Sequence, residues 1–171
     1  IVETALMDMI EDGSAQDAVI AQNESQRRVM WERRESAAEI TLGIASSIET
    51  DIAVPLDNVP TFLEQVSSRV KKIDPTGEEL YISHLGDGNL HYTFYPTDTS
   101  GLLKEPITEA IEDVVLALNG SFSAEHGIGL SKKSSMARRK DPIALEMMSA
   151  IKTAFDPKNL MNPGKVYPEK G

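Results

Sequence analysis

Apolar positions along this chain change period several times, and each change predicts an element. Ile1, Val2, Ala5, Leu6, Met9 and Ile10 recur at helical spacing, so residues 1–10 predict a helix that Glu11-Asp12-Gly13 breaks. Ser14-Ala15-Gln16-Asp17 has the form of a capping-box variant and predicts a short helix reaching Ala21 or so. Ser25 is the expected cap of a longer helix that carries Val29, Trp31 and Arg34 and ends before Gly43. Asp51-Ile52-Ala53-Val54-Pro55 predicts a short strand closed by proline. Residues 59–70 put Phe62, Leu63, Val66 and Val70 on one face of an amphipathic helix. Residues 106–118 do the same with Ile107, Ile111, Val114, Val115 and Leu118, and Asn119-Gly120 ends that helix. A last helix is predicted over residues 142–155, ahead of Asp156-Pro157 and the loop Met161-Asn162-Pro163-Gly164-Lys165-Val166.

Between the two central helices the composition changes to that of strands. Leu80-Tyr81-Ile82-Ser83 and Tyr92-Thr93-Phe94-Tyr95 flank His84-Leu85-Gly86-Asp87-Gly88-Asn89-Leu90-His91. Both flanks are rich in strand formers, and Gly86-Asp87-Gly88-Asn89 are all turn formers. The pattern predicts a β-hairpin with a four-residue loop, in which Leu85 faces Leu90 and His84 faces His91. Directly opposed residues hold their Cβ atoms about 5 Å apart on one face, close enough for one metal ion to bridge two rings. Helices mixed with a few strands and a hairpin predict an α+β fold.

At 171 residues the chain is long enough for one domain with a sizeable core. Its hydrophobic content of 40% and charged content of 26% place it with ordinary globular proteins rather than disordered ones. A net charge of −10 argues against a nucleic-acid partner or an anionic membrane surface. The absence of cysteine excludes disulfides, thiolate metal sites and cysteine nucleophiles. No apolar run approaches a membrane span and no signal peptide is visible, so a cytoplasmic location is expected, with membrane-peripheral or organellar placement also open. The chain begins at Ile1, as a processed chain or a piece of a longer one would.

All three histidines fall in two glycine-containing motifs, residues 84–91 and Ala124-Glu125-His126-Gly127. Two histidines and a carboxylate (His84, His91 and Glu125) make a sufficient ligand set for a divalent ion with positions left open for substrate. The plainer alternative is a glycine-rich hairpin whose histidines only hydrogen-bond. If Glu125 ligates, His126 is free to be a general base, because a strand sends neighbouring side chains to opposite faces; the alternative there is a buried histidine held by a carbonyl. In Trp31-Glu32-Arg33-Arg34, an arginine could grip an acidic substrate bidentately, against the default of a solvated helix face. Asn162-Pro163-Gly164-Lys165 has the chemistry of a tight turn and could contact a cofactor.

Taken together, these motifs resemble the C-terminal domain of FAD-linked oxidases, the family of D-lactate dehydrogenases, glycolate oxidase subunits and D-2-hydroxyglutarate dehydrogenases. The residues that carry the resemblance are Asp17-Ala18-Val19-Ile20-Ala21-Gln22, residues 31–34, 51–55, 84–91 (HxGDGNxH), 120–129 (with SAEHGIG) and 156–166, in order over nearly the whole chain. The resemblance implies a ferredoxin-like antiparallel sheet with helices packed on it, in a truncated cap domain spanning residues 1–171. It implies oxidation of a D-2-hydroxy acid to the 2-oxo acid, with hydride passing to FAD. By the same analogy His84, His91 and Glu125 bind zinc or manganese, and His126 takes the hydroxyl proton. Arg34 and Asn89 contact the substrate, and Asn162 and Lys165 the cofactor.

Two positions depart from the relatives that oxidise 2-hydroxyglutarate. Those carry a lysine where this chain has Glu49 and an asparagine where it has Thr93, which points to a smaller, lactate- or glycolate-like acid. The family's FAD-binding domain lies outside this sequence, so the chain is expected to bind FAD poorly by itself and not to turn over. Its expected partners are that domain, a small 2-hydroxy acid and a second copy of itself, since an uncovered apolar surface and sheet edge favour self-association. Two competing readings are a non-catalytic binding module and a metallohydrolase with the same ligands; the second ranks last because no HExxH helix is present.

Overall fold

A computed structural model of the chain describes residues 1–36, 46–84 and 86–168. The chain divides into two compact units, Ile1–Ala45 and Ser46–Gly171.

The first unit holds helices α1 (Val2–Glu11) and α2 (Glu24–Glu35), neither of which buries a residue. The short helix expected from Ser14 does not form: residues 15–22 have no helical turn. The backbone of residues 13–15 closes the end of α1 instead, and the Asp17 carboxylate takes the next amide, Ala18, rather than capping a helix. Gly13 donates to the Ile10 carbonyl, Ala15 to that of Met9, and the Ser14 amide to the Asp12 carboxylate. The cap of α2 is Asn23 rather than Ser25, because the Asn23 side chain accepts from the Gln26 amide and Ser25 already lies inside the first turn. The helix ends at Glu35, capped by Ser36, before Gly43 as expected.

The second unit runs β1 (Ile48–Ala53), a 3₁₀ turn (Leu56–Asn58), α3 (Val59–Ile73), β2 (Glu78–His84), β3 (Asn89–Tyr95), α4 (Lys104–Ala117), α5 (Lys133–Arg139) and α6 (Pro142–Phe155). The sheet order is β1-β3-β2, with β3 antiparallel to both neighbours. β1 and β2 are therefore parallel, joined by α3 and separated by one inserted strand. These elements, with α4, supply the first five of a β-α-β-β-α-β ferredoxin-like unit. The sixth is reduced to a single antiparallel bridge, Ala53 with Ser121, on the free side of β1. The fold is α+β.

Alternation along the strands gives the sheet two unlike faces. Ile48 and Ile52 of β1 and Leu90, Tyr92 and Phe94 of β3 turn toward Val59, Phe62, Val66 and Val70 of α3 and Ile107, Ile111, Val114 and Val115 of α4, all buried. Phe62 meets Tyr92 edge-on at 6.1 Å. The Tyr92 hydroxyl donates to Glu79, and burial, reinforced by that carboxylate, pushes its pKa well up. The opposite face carries Glu49, Asp51, His84, Asn89, His91 and Thr93, and is where the polar chemistry collects.

The hairpin forms with a different register from the one expected. His84 pairs with Asn89, and His91 with Ile82; the expected partner of Leu90, Leu85, lies outside the described residues. The four-residue loop is displaced one position toward the N-terminus. Asp87 and Gly88 both donate to the His84 carbonyl, and the Asp87 carboxylate takes the Asn89 amide. Gly88 decides the matter, with φ +76° and its carbonyl accepting from Val54; a Cβ there would lie 2.1 Å from the Val54 oxygen. Displacing the loop by one moves each pairing by two, so His84 and His91 stay on one face as diagonal neighbours.

Pattern reading left out α5. It carries one large apolar residue, the buried Met136, and ion pairs tie it to α4: Arg139 bonds Glu112 at 3.3 Å and Asp113 at 2.7 Å, and Arg138 bonds Glu105 at 3.0 Å. Among the described residues, no helix is long and apolar enough to cross a membrane.

Candidate metal and active site

The segment after α4 reaches the polar face of the sheet through β1. Gly120 passes so close that a Cβ would lie 2.3 Å from the Ala53 carbonyl. Ser121 and Ala53 then exchange both backbone hydrogen bonds, and the Ala124 amide donates to the Asp51 carbonyl. Past that point the chain curls around one side chain. Asp51 Oδ2 accepts from three successive amides, Ala124 at 3.2 Å, Glu125 at 3.0 Å and His126 at 2.8 Å. Lys132 Nζ lies 3.2 Å from the same oxygen. Burial alone would push the Asp51 carboxyl up, but the His126 and Glu125 amides and the Lys132 ammonium outweigh it and hold it below the usual range.

This turn delivers Glu125 to the histidines of the hairpin. His91 Nε2 lies 2.9 Å from Glu125 Oε1 and 3.3 Å from His84 Nε2. A single proton on His91 Nε2 can satisfy only one of those neighbours, whereas a cation among the three satisfies all of them. Zinc ligands about 2.0–2.1 Å from a tetrahedral ion stand about 3.3 Å from one another, so these two spacings about His91 and the donor types suit a divalent ion. The ligand atoms that all group within 4.8 Å of one another are those of Asp51, His91, Glu125 and His126, with His84 joining through His91 alone.

His126 does not lie on the far side of a strand from Glu125, as expected. Residues 122–127 form no strand, and the turn around Asp51 sends both side chains the same way. His126 Nε2 is 3.8 Å from Glu125 Oε1, and its ring stacks on that of His91 at 5.2 Å and 19°. Its side chain is 62% exposed, more open than Glu125 or His91, against 2% for Asp51.

The other sequence-derived candidates are more scattered. Asn89 is buried on the same sheet face, directly opposite His84, and its Oδ1 has no partner among the described residues. Asn162 and Lys165 are exposed on a turn closed by the Lys165 amide on the Asn162 carbonyl; the next amide, Val166, ties that turn to Gly129, three residues beyond His126. Arg34 belongs to the first unit, where it lines a shallow pocket on α2 with Arg27, Met30 and Trp31. Sequence reasoning missed Asp51 and Lys132. A signal for Asp51 existed: aspartate is depleted in strands, and one set among Ile52 and Val54 needs a partner for its charge.

The sequence matches, over residues 2–166, the family described as FAD linked oxidases, C-terminal domain. The chain belongs to this family. It is 33% identical over 163 residues to a D-2-hydroxyglutarate dehydrogenase of Stutzerimonas stutzeri, covering 92% of this chain and 35% of that protein. A probable mitochondrial D-2-hydroxyglutarate dehydrogenase of Oryza sativa subsp. indica is 34% identical over 168 residues, 98% of this chain and 30% of its own length. A probable mitochondrial D-lactate dehydrogenase of Danio rerio is 31% identical over 165 residues, 93% of this chain and 33% of its own. The chain thus spans about a third of the length of these relatives.

Proposed function

We propose that this chain is the substrate- and metal-binding cap domain of a flavin-dependent dehydrogenase that oxidises a small D-2-hydroxy acid to the 2-oxo acid. The observation that carries the reading is the convergence of His84 Nε2 and Glu125 Oε1 on His91 Nε2. Those three residues would hold zinc or manganese. When bound, the ion would favour ionisation of the substrate hydroxyl, and FAD, held mainly by the FAD-binding domain of the parent protein, would take up the hydride. His126 would accept the hydroxyl proton; its exposure and its stacking on His91 support that role. Asn89 on the same face and Arg34 are the proposed substrate contacts, with Asn162 and Lys165 reaching the flavin. Ile143, Met147, Ile151 and Phe155 form an exposed row on α6, which supports apolar contact with the FAD-binding domain.

The two departures from the 2-hydroxyglutarate-oxidising pattern are directly paired. Glu49 of β1 opposes Thr93 of β3, one same-face step along from Asp51 and His91. A second substrate carboxylate reaching this part of the sheet would meet an exposed acid, which supports a lactate- or glycolate-like monocarboxylate. Elemental analysis after loading, followed by a D-2-hydroxy-acid screen on the parent flavoprotein, tests the reading. Retained zinc or manganese and preference for a monocarboxylate are expected. A chain that takes up neither metal, or a parent that oxidises no D-2-hydroxy acid, would overturn it.

A further inference from the structure

Behind the histidine cluster, Asp51 is 1% exposed, yet its two oxygens are treated very differently. Oδ2 is saturated by three amides and Lys132. Oδ1 is buried and has no hydrogen-bond partner among the described residues. It faces His91 Nδ1 at 4.0 Å, beyond hydrogen-bond reach. The two nitrogens of the His91 ring therefore face different groups: Nε2 meets His84 and Glu125, and Nδ1 meets Asp51. One ring cannot turn both nitrogens toward one ion. An ion on Nε2 leaves the proton on Nδ1, where it is a donor in need of an acceptor, and Asp51 Oδ1 is an acceptor in need of a donor. Metal-bound histidines commonly pass their second N–H to a carboxylate, which sets ring orientation and ligand basicity.

We propose that Asp51 is the positioning residue of this metal site, holding two of its ligands with one carboxylate. Through Oδ2 it pins the backbone that presents Glu125, and through Oδ1 it receives the Nδ1 proton of metal-bound His91. Lys132 compensates the buried charge at Oδ2. The inference rests on the metal reading above and deepens it. Asp51 falls within a matching segment, residues 51–55, but its role is not legible there, because it meets His91 through the β1–β3 ladder.

The Asp51→Asn substitution keeps the shape and removes one acceptor. If its oxygen stays on the three amides, its NH2 meets the His91 Nδ1 proton, donor against donor; if it flips, the NH2 meets the amides and the ammonium. Titration of the chain with Zn²⁺ and with Co²⁺, whose visible spectrum reports ligand geometry, is expected to show about 10- to 100-fold weaker binding and an altered Co²⁺ spectrum in the variant. Circular dichroism serves as the check on folding. A second measurement needs no variant: in the ¹⁵N-labelled, zinc-loaded wild-type chain, His91 should carry its proton on Nδ1 and exchange it more slowly than the exposed ring of His126. Equal affinity and an unchanged Co²⁺ spectrum in a folded Asp51→Asn chain, or a His91 Nδ1 proton that exchanges as fast as the exposed ring of His126, would overturn the role of Asp51 alone, whereas a His91 proton on Nε2 would overturn the ligand assignment as well. A wild-type chain that binds neither ion overturns the metal reading and this proposal with it.

Discussion

Asp51 of β1 and His91 of β3 stand directly opposite each other in the antiparallel ladder, so backbone pairing alone sets the carboxylate behind the ring. Directly opposed strand residues keep their side chains about 5 Å apart at Cβ whatever their rotamers. The remaining members of the cluster arrive by different routes, Glu125 on a turn and His84 across a hairpin, and each can be removed separately.

Replacing His91 with Ala should remove the atom on which the other two donors converge. The loss of zinc affinity is expected to exceed the about 10- to 100-fold typical of losing a partner outside the ligand set. His84→Ala and Glu125→Gln should also weaken binding while the core, on the opposite sheet face, keeps its melting temperature. Calorimetric titration with Zn²⁺ checks this, and unchanged affinity in all three variants would count against the ligand assignment.

Substrate range should respond to the Glu49–Thr93 pair. In the parent flavoprotein, the double change Glu49→Lys with Thr93→Asn is expected to raise the ratio of kcat/KM for D-2-hydroxyglutarate over D-lactate by about tenfold or more, equivalent to about 1.4 kcal/mol of transition-state stabilisation. Steady-state kinetics on the two acids measure it; an unchanged ratio would mean that this part of the sheet does not meet the substrate.

Gly88 sets the hairpin register and has no room for a side chain. Gly88→Ala should cost about 2–4 kcal/mol, since it combines a left-handed backbone with a Cβ driven into the Val54 carbonyl. Urea unfolding followed by circular dichroism gives the value. Because a forced relocation of the turn also moves His84 against His91, zinc affinity should fall along with stability.

Acid sensitivity should arise partly far from the cluster, at Asp156 just after α6. The Lys152 ammonium, then the Leu160 and Met161 amides, hold its carboxyl at about 2, below the ordinary 3.8. A depressed carboxyl stabilises the fold fully above its unfolded value and ceases to do so as pH falls through its folded one. Wild-type stability should therefore decline between 3.8 and about 2, and Asp156→Asn, less stable at neutral pH, should lose less over that window. Denaturant midpoints on both sides of the window compare the slopes, and parallel slopes would show that Asp156 does not contribute.

Local periodicity and motif chemistry by themselves determined much of this protein. The helices at 59–73, 104–117 and 142–155 follow from apolar spacing and bounding proline, asparagine and glycine, because amphipathic periodicity is a property of one short segment, whether its face is buried, as in the first two, or exposed, as in the third. The choice of His84, His91 and Glu125 as a group was legible from residue type. The face shared by the two histidines survived a displaced loop, because strand side chains repeat every two residues and the register moved by two. The helix expected after Ser14 failed for the converse reason: its first backbone amides were taken by the end of the preceding helix, a competition that propensity does not weigh.

Tertiary structure alone decided how the cluster closes. Asp51 lies 40 residues before His91 and 74 before Glu125 in the chain, and only the β1–β3 pairing and the residual Ala53–Ser121 bridge bring the three together. The side-by-side placement of Glu125 and His126 was likewise unreadable from alternation, because their backbone curls around a buried carboxylate instead of running as a strand. Contacts of that separation depend on which strands pair, and strand pairing is a global property of the fold.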